Sequence, residues 1–189
     1  MTVKRYIFFP ILALIVGAVA LGIIVIRSVD SPDREESGES PRPVNLKTSQ
    51  TTLAHLYFLD KEGQFLIAEE RVLKRPENPA LLARSIVEAL IKGPQKGLIR
   101  TIPAETRVRA IYVTQEGICY VDLTSNITDK HPGGIKSELF SIYSIVNSVV
   151  LNVPEVEAVK ILISGDESAT LAGHIDLQFP VKANMLLIR

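Results

Sequence analysis

The sequence has one cysteine, no tryptophan and no excess of either charge. Because Cys119 is the only cysteine among 189 residues, an internal disulfide is excluded and the folded part must be stabilised by its apolar core. Lysines and arginines number 21 and aspartates and glutamates 21, so the formal net charge is +0. Nucleic-acid binding normally needs a basic face or a high pI, so we expect no nucleic-acid partner.

Motifs for catalysis and metal binding are also missing. The three histidines, His55, His131 and His174, fall in three separate segments, and no HExxH, CxxC or Asp-rich calcium loop occurs. A metal site from Asp129, His131 and His174 is conceivable, but surface or structural roles are the default. His174 and Asp176 are two residues apart on one predicted strand, yet no nucleophilic serine accompanies them. We therefore expect no enzyme activity, no cofactor and no metal.

A long uncharged segment lies near the start of the chain. No charged residue occurs from Tyr6 to Ile26, and about twenty helical residues span the roughly 30 Å of a bilayer core. The small residues before Leu21 suit signal-peptide cleavage after Ala20, but the apolar run continues to Ile26 and favours a retained anchor. We predict a single-pass transmembrane signal anchor over residues 1–27, in the cytoplasmic membrane, with the rest of the chain outside the cytoplasm.

The remaining chain divides into a linker and one domain. Residues 28–52 are rich in Ser, Pro, Glu, Asp and Thr, and such a stretch buries too little surface to offset the entropy of ordering, so we predict a flexible linker. Residues 53–189 should form the folded domain. Hydrophobic periodicity predicts two helices, Asn78-capped "PALLARSIVEALIK" and "IKSELFSIYSIVNSVVLN". It predicts strands in "LAHLYFLD", "FLIAEERVLKR", "RVRAIYVTQEGICYVDL", "VEAVKILISG" and "GHIDLQF".

The stretch "LIKGPQKGLIRTIPAETRV" raises the question of a phosphate-binding loop. It follows a helix and so presents the negative C-terminal end, whereas a phosphate loop precedes a helix. Gly93 followed by Pro94 is typical of a helix stop. We therefore interpret the stretch as a corner in the chain.

A second pair of glycines, Gly133 and Gly134, does precede a predicted helix. Lys130 and Lys136 lie beside the pair in sequence. This order has the correct polarity for an anion, although a plain loop is the simpler interpretation. The four residues form a hypothetical anion site.

The second predicted helix carries a stripe of serines at helical spacing, beside an apolar stripe. One interpretation is a solvated face, and the other is a smooth contact face for another chain. On the second interpretation, Ser144→Glu should weaken association without lowering thermal stability. The stripe consists of Ser137, Ser141, Ser144 and Ser148.

The sequence resembles the GerMN domain family of bacterial sporulation, germination and cell-envelope proteins. The resemblance covers about Leu53 to Val181 and rests on "LYFLD", "ALIKGPQKGLIRTIPAETRV", "GICYVDLTSN", "GGIKSELFSIYSIVNSVVLNVPEVEAVKILISG" and "GHIDLQFP". It implies an α+β domain of two layers, with two helices packed on a small mixed sheet, similar to ring-building motifs. It implies no catalytic residues, and it gives a structural role to Gly93, Pro94, Pro103 and Asp122.

These observations predict a membrane-anchored, extracytoplasmic, non-catalytic binding or assembly module of the bacterial cell envelope. Its expected partners are envelope proteins or further copies of the chain. The first alternative is a domain that binds peptidoglycan or a small anion, and the weakest is a hydrolase that uses His174 and Asp176. One departure from the family is that the predicted transmembrane anchor replaces a lipid-modified cysteine.

Overall fold

The computed structural model of the protein describes residues 50–189. The predicted anchor over residues 1–27 lies outside this range, and so does the predicted linker except for residues 50–52. The first strand begins at Thr51, two residues before the predicted start of the domain. Within residues 50–189, no helix is both long enough and apolar enough to cross a membrane.

Strands and helices follow one another closely in the described residues. In chain order they are β1 (Thr51–Leu59), β2 (Leu66–Lys74), α1 (Pro79–Lys92), β3 (Val108–Val113), β4 (Ile118–Leu123), α2 (Asn126–Asp129), α3 (Ile135–Val150), β5 (Ala158–Ile163), β6 (Asp166–Glu167), β7 (Val181–Lys182) and a 3-10 helix (Met185–Leu187).

The α+β class, with a mixed sheet and two long helices, is confirmed. The larger sheet has the order β3-β4-β5-β6, and β7 also pairs with β5. Strands β3 and β4 are antiparallel, while β4 and β5 are parallel and are connected through α3, because parallel neighbours need a crossover. The hairpin β1–β2 forms a separate two-stranded sheet, which the sequence pattern did not distinguish from the larger one.

One apolar core joins β1, α1, α3 and the larger sheet. Strand β1 contributes alternate residues, Ala54, Leu56 and Phe58, as a half-buried strand should. Cys119 on β4 is fully buried, and burial raises the pKa of its thiol to about 12. Cys119 is therefore a small apolar residue of the core.

Both ends of α1 have the predicted caps. The Asn78 side chain accepts a hydrogen bond from the Ala80 N–H at 2.8 Å, and Pro79 occupies the first helical position. At the other end, Gly93 has φ 90° and ψ 175°, a conformation that is essentially restricted to glycine. The corner interpretation of the stretch after Lys92 is confirmed in this respect.

The strand predicted over "GHIDLQF" is wrong. Residues 173–179 form bends, with one isolated bridge between Thr170 and Asp176, and the last strands are the short β6 and β7. The cause is that the N–H groups of His174 and Ile175 donate to the side chain of Glu138 instead of to a neighbouring strand. Alternation of polar and apolar residues cannot reveal such a competitor.

A substitution of Gly93 tests the interpretation of the stretch after α1 as a corner in the chain. We expect Gly93→Ala to lower the free energy of unfolding by about 2–3 kcal/mol, because a side chain is strained at this φ and ψ. Its Cβ would also lie 2.5 Å from Nη2 of Arg100. Urea denaturation measures the loss. Gly63→Ala is the control, since Gly63 has φ 66° but open space around its Cβ. An equal loss in both variants would contradict the crowding at Arg100.

Candidate functional site

The serine stripe of α3 faces strand β1. The Ser144 hydroxyl donates to the Tyr57 carbonyl at 2.7 Å, and the Tyr57 N–H donates to the Ser148 hydroxyl at 3.0 Å. One turn further on, Asn152 accepts from the His55 N–H and donates to the His55 carbonyl, both at 2.8 Å. We call Ser144, Ser148 and Asn152 the polar ladder, because they take the place of a neighbouring strand.

The polar ladder closes most of the free edge of β1. Leu59 completes it by exchanging two backbone hydrogen bonds with Ile99, at 2.7 and 3.1 Å. The outward-pointing backbone groups of His55, Tyr57 and Leu59 therefore all have partners. Strand β1 has no such group left between these residues with which to accept another strand.

The prediction that the serine stripe of α3 forms an exposed contact face is wrong. Ser141, Ser144 and Ser148 are each at most 1% exposed, and only Ser137 is half-buried. The Ser141 hydroxyl lies 2.5 Å from the Thr101 carbonyl and 2.9 Å from the Ser137 carbonyl. The side chains of Ser141, Ser144 and Ser148 are therefore hydrogen-bonded inside the domain and form neither a solvated face nor a surface for another chain.

The loop of Gly133 and Gly134 is organised by His131. The Gly133 N–H donates to Nδ1 of His131 at 3.0 Å, and Nε2 lies 2.9 Å from the Ser141 hydroxyl. This arrangement favours the neutral imidazole with its proton on Nε2. Burial lowers the pKa of His131, and the nearby carboxylate of Glu138 opposes this only partly. The Gly133 N–H is therefore already occupied and does not point at a ligand.

The four residues of the predicted anion site are not gathered in one cavity. Lys130 lines a shallow cavity of about 150 Å³ together with Arg100 and Ser137. The two glycines and the exposed Lys136 are not part of that lining. Lys130 and Arg100, from two loops that are distant in sequence, both line this cavity.

Glu138, in the first turn of α3, holds the loop that follows β6. Its fully buried carboxylate accepts four backbone N–H bonds of 2.8–3.2 Å, from Leu171, Ala172, His174 and Ile175. Burial raises the pKa of Glu138, but these bonds and the His174 side chain together lower it below its ordinary value. The group is thus a carboxylate that replaces a strand partner.

His174 and Asp176 do not form the predicted pair. Nδ1 of His174 lies 2.9 Å from a Glu138 oxygen, whereas Asp176 accepts the Gln178 N–H at 2.8 Å within a local turn. In residues 50–189 no group of three His, Cys, Asp or Glu side chains is arranged to hold a metal ion. The real partner of His174 is 36 residues away in sequence, and no spacing pattern points to it.

The corner after α1 is held by a second buried carboxylate. Glu69 is 1% exposed and accepts the N–H groups of Gln95 and Lys96 at 2.8–3.1 Å, together with Arg71. Burial raises the pKa of Glu69, yet these donors lower it overall. The glycine-rich stretch therefore does bind an anion through backbone N–H groups, but that anion is a side chain of the same protein.

Two arginines satisfy the end of α1. Arg71 donates to the Gly93 carbonyl at 2.9 Å, and Arg100 donates to the Lys92 carbonyl at 2.8 Å and to the Ile91 carbonyl. Carbonyls at a helix C-terminus lack partners within the helix, and the guanidinium groups supply them.

The other two residues with a predicted structural role also stabilise turns. The Pro103 carbonyl accepts the Thr106 N–H at 3.2 Å. Asp122 on β4 accepts the Gly165 N–H at 2.8 Å and lies 3.3 Å from the Arg109 guanidinium. Asp122 thus fixes the turn after β5, in keeping with the structural role that the family resemblance implied.

A cavity of about 430 Å³ lies between the end of α1 and the chain that enters β3. The Thr106 hydroxyl in its wall is buried and has no hydrogen-bond partner among residues 50–189. Three basic side chains and one acidic side chain line the cavity. The lining residues are Glu88, Ile91, Lys92, Arg100, Ala104, Thr106, Arg107 and Val108.

Comparison with known proteins identifies the fold. A family model described as "Germane: Sporulation and spore germination" matches residues 55–169. No curated protein matches the sequence at a significant level.

Several solved structures are similar to the chain, and three of them are compared by identity and coverage. The first GerMN domain of the sporulation protein GerM from Bacillus subtilis is 17% identical, with a TM-score of 0.54, over 69% of this chain and 97% of that one. The tandem GerMN domains of the same protein give 18% identity and a TM-score of 0.56, over 69% and 46%. A Clostridium perfringens protein provisionally described as a lipoprotein gives 17% and 0.50, over 72% and 89%. At these identities the likeness shows a common fold.

If the polar ladder holds β1, substitutions of its serines should lower the stability of the fold. The contact-face interpretation predicted instead that Ser144→Glu weakens association only. Ser148→Ala should lower the free energy of unfolding by about 1–3 kcal/mol, because the buried Tyr57 N–H loses its acceptor. Ser144→Glu should cost more, since it buries a charge. Urea denaturation measures both. Ser137→Ala, at a half-buried site on the same helix, is the control and should change stability by less than about 0.5 kcal/mol. Unchanged stability in Ser148→Ala would refute the ladder.

Glu138 predicts a pH dependence. Because its folded pKa is lowered, the carboxylate stabilises the fold above its unfolded pKa of about 4.3, and this contribution disappears as pH falls through the folded pKa. Glu138→Gln should therefore cost about 2–4 kcal/mol at pH 7, and the difference from the wild type should narrow below about pH 4. Thermal melts across pH provide the measurement.

The exposed Glu62 gives the matched control, since Glu62→Gln should leave the pH profile unchanged. If the difference in stability between the wild type and Glu138→Gln is the same at every pH from 3 to 7, the ionised form of the Glu138 carboxylate is not what stabilises the fold.

Proposed function

The chain belongs to the Germane family of sporulation and spore germination, and we propose on this basis that it is a non-catalytic binding or assembly module of the bacterial cell envelope. The match over residues 55–169 is the observation that carries the proposal. The partners are envelope proteins, including further copies of the chain.

The use of polar groups inside the domain supports a non-catalytic role. Glu69 and Glu138, the buried carboxylates whose pKa values are lowered, bind loop N–H groups. The half-buried His131 accepts a backbone N–H and contacts Ser141. Because these groups are occupied by the fold, they are held in fixed positions and are not turned toward a substrate.

We propose that the domain lies outside the cytoplasm on a single-pass anchor formed by residues 1–27. The uncharged run from Tyr6 to Ile26 supports this, and so does the composition of the following linker. The provisional description of one structural relative as a lipoprotein is in keeping with attachment to a membrane.

A second candidate function is binding of peptidoglycan or a small anion. The observation that favours it is the cavity that Lys130 and Arg100 both line. Exposed Lys136 lies on the first turn of α3 nearby in sequence, and its charge would add to the attraction.

Crosslinking in intact cells tests the proposal. We expect a membrane-impermeant, amine-reactive reagent to join the full-length protein to envelope proteins or to itself, and the products to stay with membranes washed in alkaline carbonate. Release by carbonate would contradict the anchor, and labelling only after cell lysis would contradict the extracytoplasmic location.

Fractionation of the same cells distinguishes the assembly function from binding of peptidoglycan. Wall glycan is sedimented from the lysate, and recovery of the protein only with glycan would overturn the assembly function in favour of the second candidate. In that case Lys130→Ala combined with Lys136→Ala should reduce glycan recovery several-fold. Unchanged recovery in this variant would remove the anion site.

A further inference from the structure

The two strands of the hairpin β1–β2 differ in how much of the outer edge has hydrogen-bond partners within residues 50–189. In the β1–β2 register, His55 lies opposite Glu70 and Tyr57 opposite Ala68. Because the backbone groups of His55 and Tyr57 point away from β2, those of their partners point away from β1. By the same alternation, Val72 and Lys74 also direct their N–H and C=O groups to the outside of β2.

Only one end of the β2 edge is covered. The Arg189 N–H donates to the Leu66 carbonyl at 3.1 Å, and Ile188 forms a parallel bridge with Leu66. Beyond that point no strand, loop or side chain among residues 50–189 pairs with the edge from Ala68 to Lys74. Within residues 50–189, the polar ladder thus covers the edge of β1, and the edge of β2 is open beyond Leu66.

The side chains beside this open edge are a mixture of apolar and charged groups. Val72 is 70% exposed, and its cross-strand neighbour Leu53 is 52% exposed. Glu70 and Lys74 flank Val72 on the same face and are also exposed. The Glu70 carboxylate lies 3.8 Å from Nε2 of His55.

We propose that β2 pairs with β2 of a second copy, antiparallel, around a two-fold axis at Val72. In that register Val72 lies opposite Val72, and Glu70 lies opposite Lys74 on both sides of the axis. All of these residues point their backbone groups outward, so the ladder of hydrogen bonds continues from one hairpin into the other. The result is a four-stranded sheet, β1-β2-β2-β1.

Charge and hydrophobicity select this register. Two Glu70–Lys74 pairs bring opposite charges together, and the exposed Leu53 and Val72 of both copies form a continuous apolar row across the axis. A two-fold axis at Glu70 would place two glutamates opposite each other and would bring Lys74 against the edge that Arg189 covers at Leu66. An axis at Arg71 would place Glu70 opposite Val72, without a charge partner.

This inference rests on the proposed function, because it names a second copy as one partner of the assembly module. Since an isologous pair is closed, it yields dimers rather than an extended fibre. The free edge is then protected in the dimer as the β1 edge is protected in the monomer.

Thiol crosslinking of the full-length protein in membranes tests the pairing. Val72→Cys should give a crosslinked dimer with a short bis-maleimide, because the two thiols would face each other at the axis. Tyr112→Cys is the control: Tyr112 is 62% exposed on β3 at the edge of the other sheet, and it should give at least ten-fold less dimer. The buried Cys119 should not react. Equal yields at the two positions would overturn the proposal.

Charge exchange tests the register. In the Val72→Cys background, Glu70→Lys and Lys74→Glu should each lower the dimer yield several-fold, and the double exchange should restore it. Failure of the double exchange to restore the yield would overturn this register. If the amine-reactive reagent crosslinks the protein to other envelope proteins but the bis-maleimide gives no dimer, the pairing is wrong and the proposed function stands. If neither reagent gives a crosslinked product, both the pairing and the proposed function are wrong.

Discussion

The hydrogen bonding of strand β1 by helix α3 is the constraint on which the rest of the domain depends. A two-stranded hairpin is marginally stable alone and needs a helix or further strands to support it. Here Ser144, Ser148 and Asn152 bond the edge of β1, while the apolar residues of the same helix pack into the shared core. One helix thereby joins the hairpin to the larger sheet, although the two sheets are separate.

Carboxylates hold the loops in a similar way, by accepting hydrogen bonds from loop N–H groups. Glu69 holds the corner after α1, Glu138 holds residues 171–175, and Asp122 holds the turn at Gly165. A buried ionised group is costly unless several donors surround it, and each of these positions supplies at least two. The loops are therefore specified by side chains that come from strands and helices, so the surface that they present is kept in a fixed shape.

A fixed surface suits a module that works by positioning other molecules. Ser144, Ser148 and His174, which were candidate contact or catalytic residues in the sequence, are engaged within the domain, whereas no residue among 50–189 pairs with the outer edge of β2 beyond Leu66. The contrast between the two edges of one hairpin links the fold to assembly, because an exposed edge is a template that proteins otherwise protect.

Much of the fold could be predicted from local signals. The cap at Asn78, the stop at Gly93, the helical period of α3 and the buried Cys119 follow from interactions within one element or from composition. The site could not be predicted in this way. The partners of Ser148, Glu138 and His174 lie far away in sequence, and a serine on a helix looks the same whether it faces water or a strand edge.

Local signals in the sequence were enough to predict the two long helices and both ends of the first, because propensity and hydrophobic period act over a few residues, while the α+β class and the family followed from the resemblance of the motifs. The packing of the whole domain was needed to place three of the four serines of the stripe inside it, to make Glu138 replace a strand partner, and to leave the outer edge of β2 beyond Leu66 without a partner among residues 50–189. These outcomes depend on which backbone donors and acceptors remain unpaired once sheets and helices are packed, and that is a property of the whole fold.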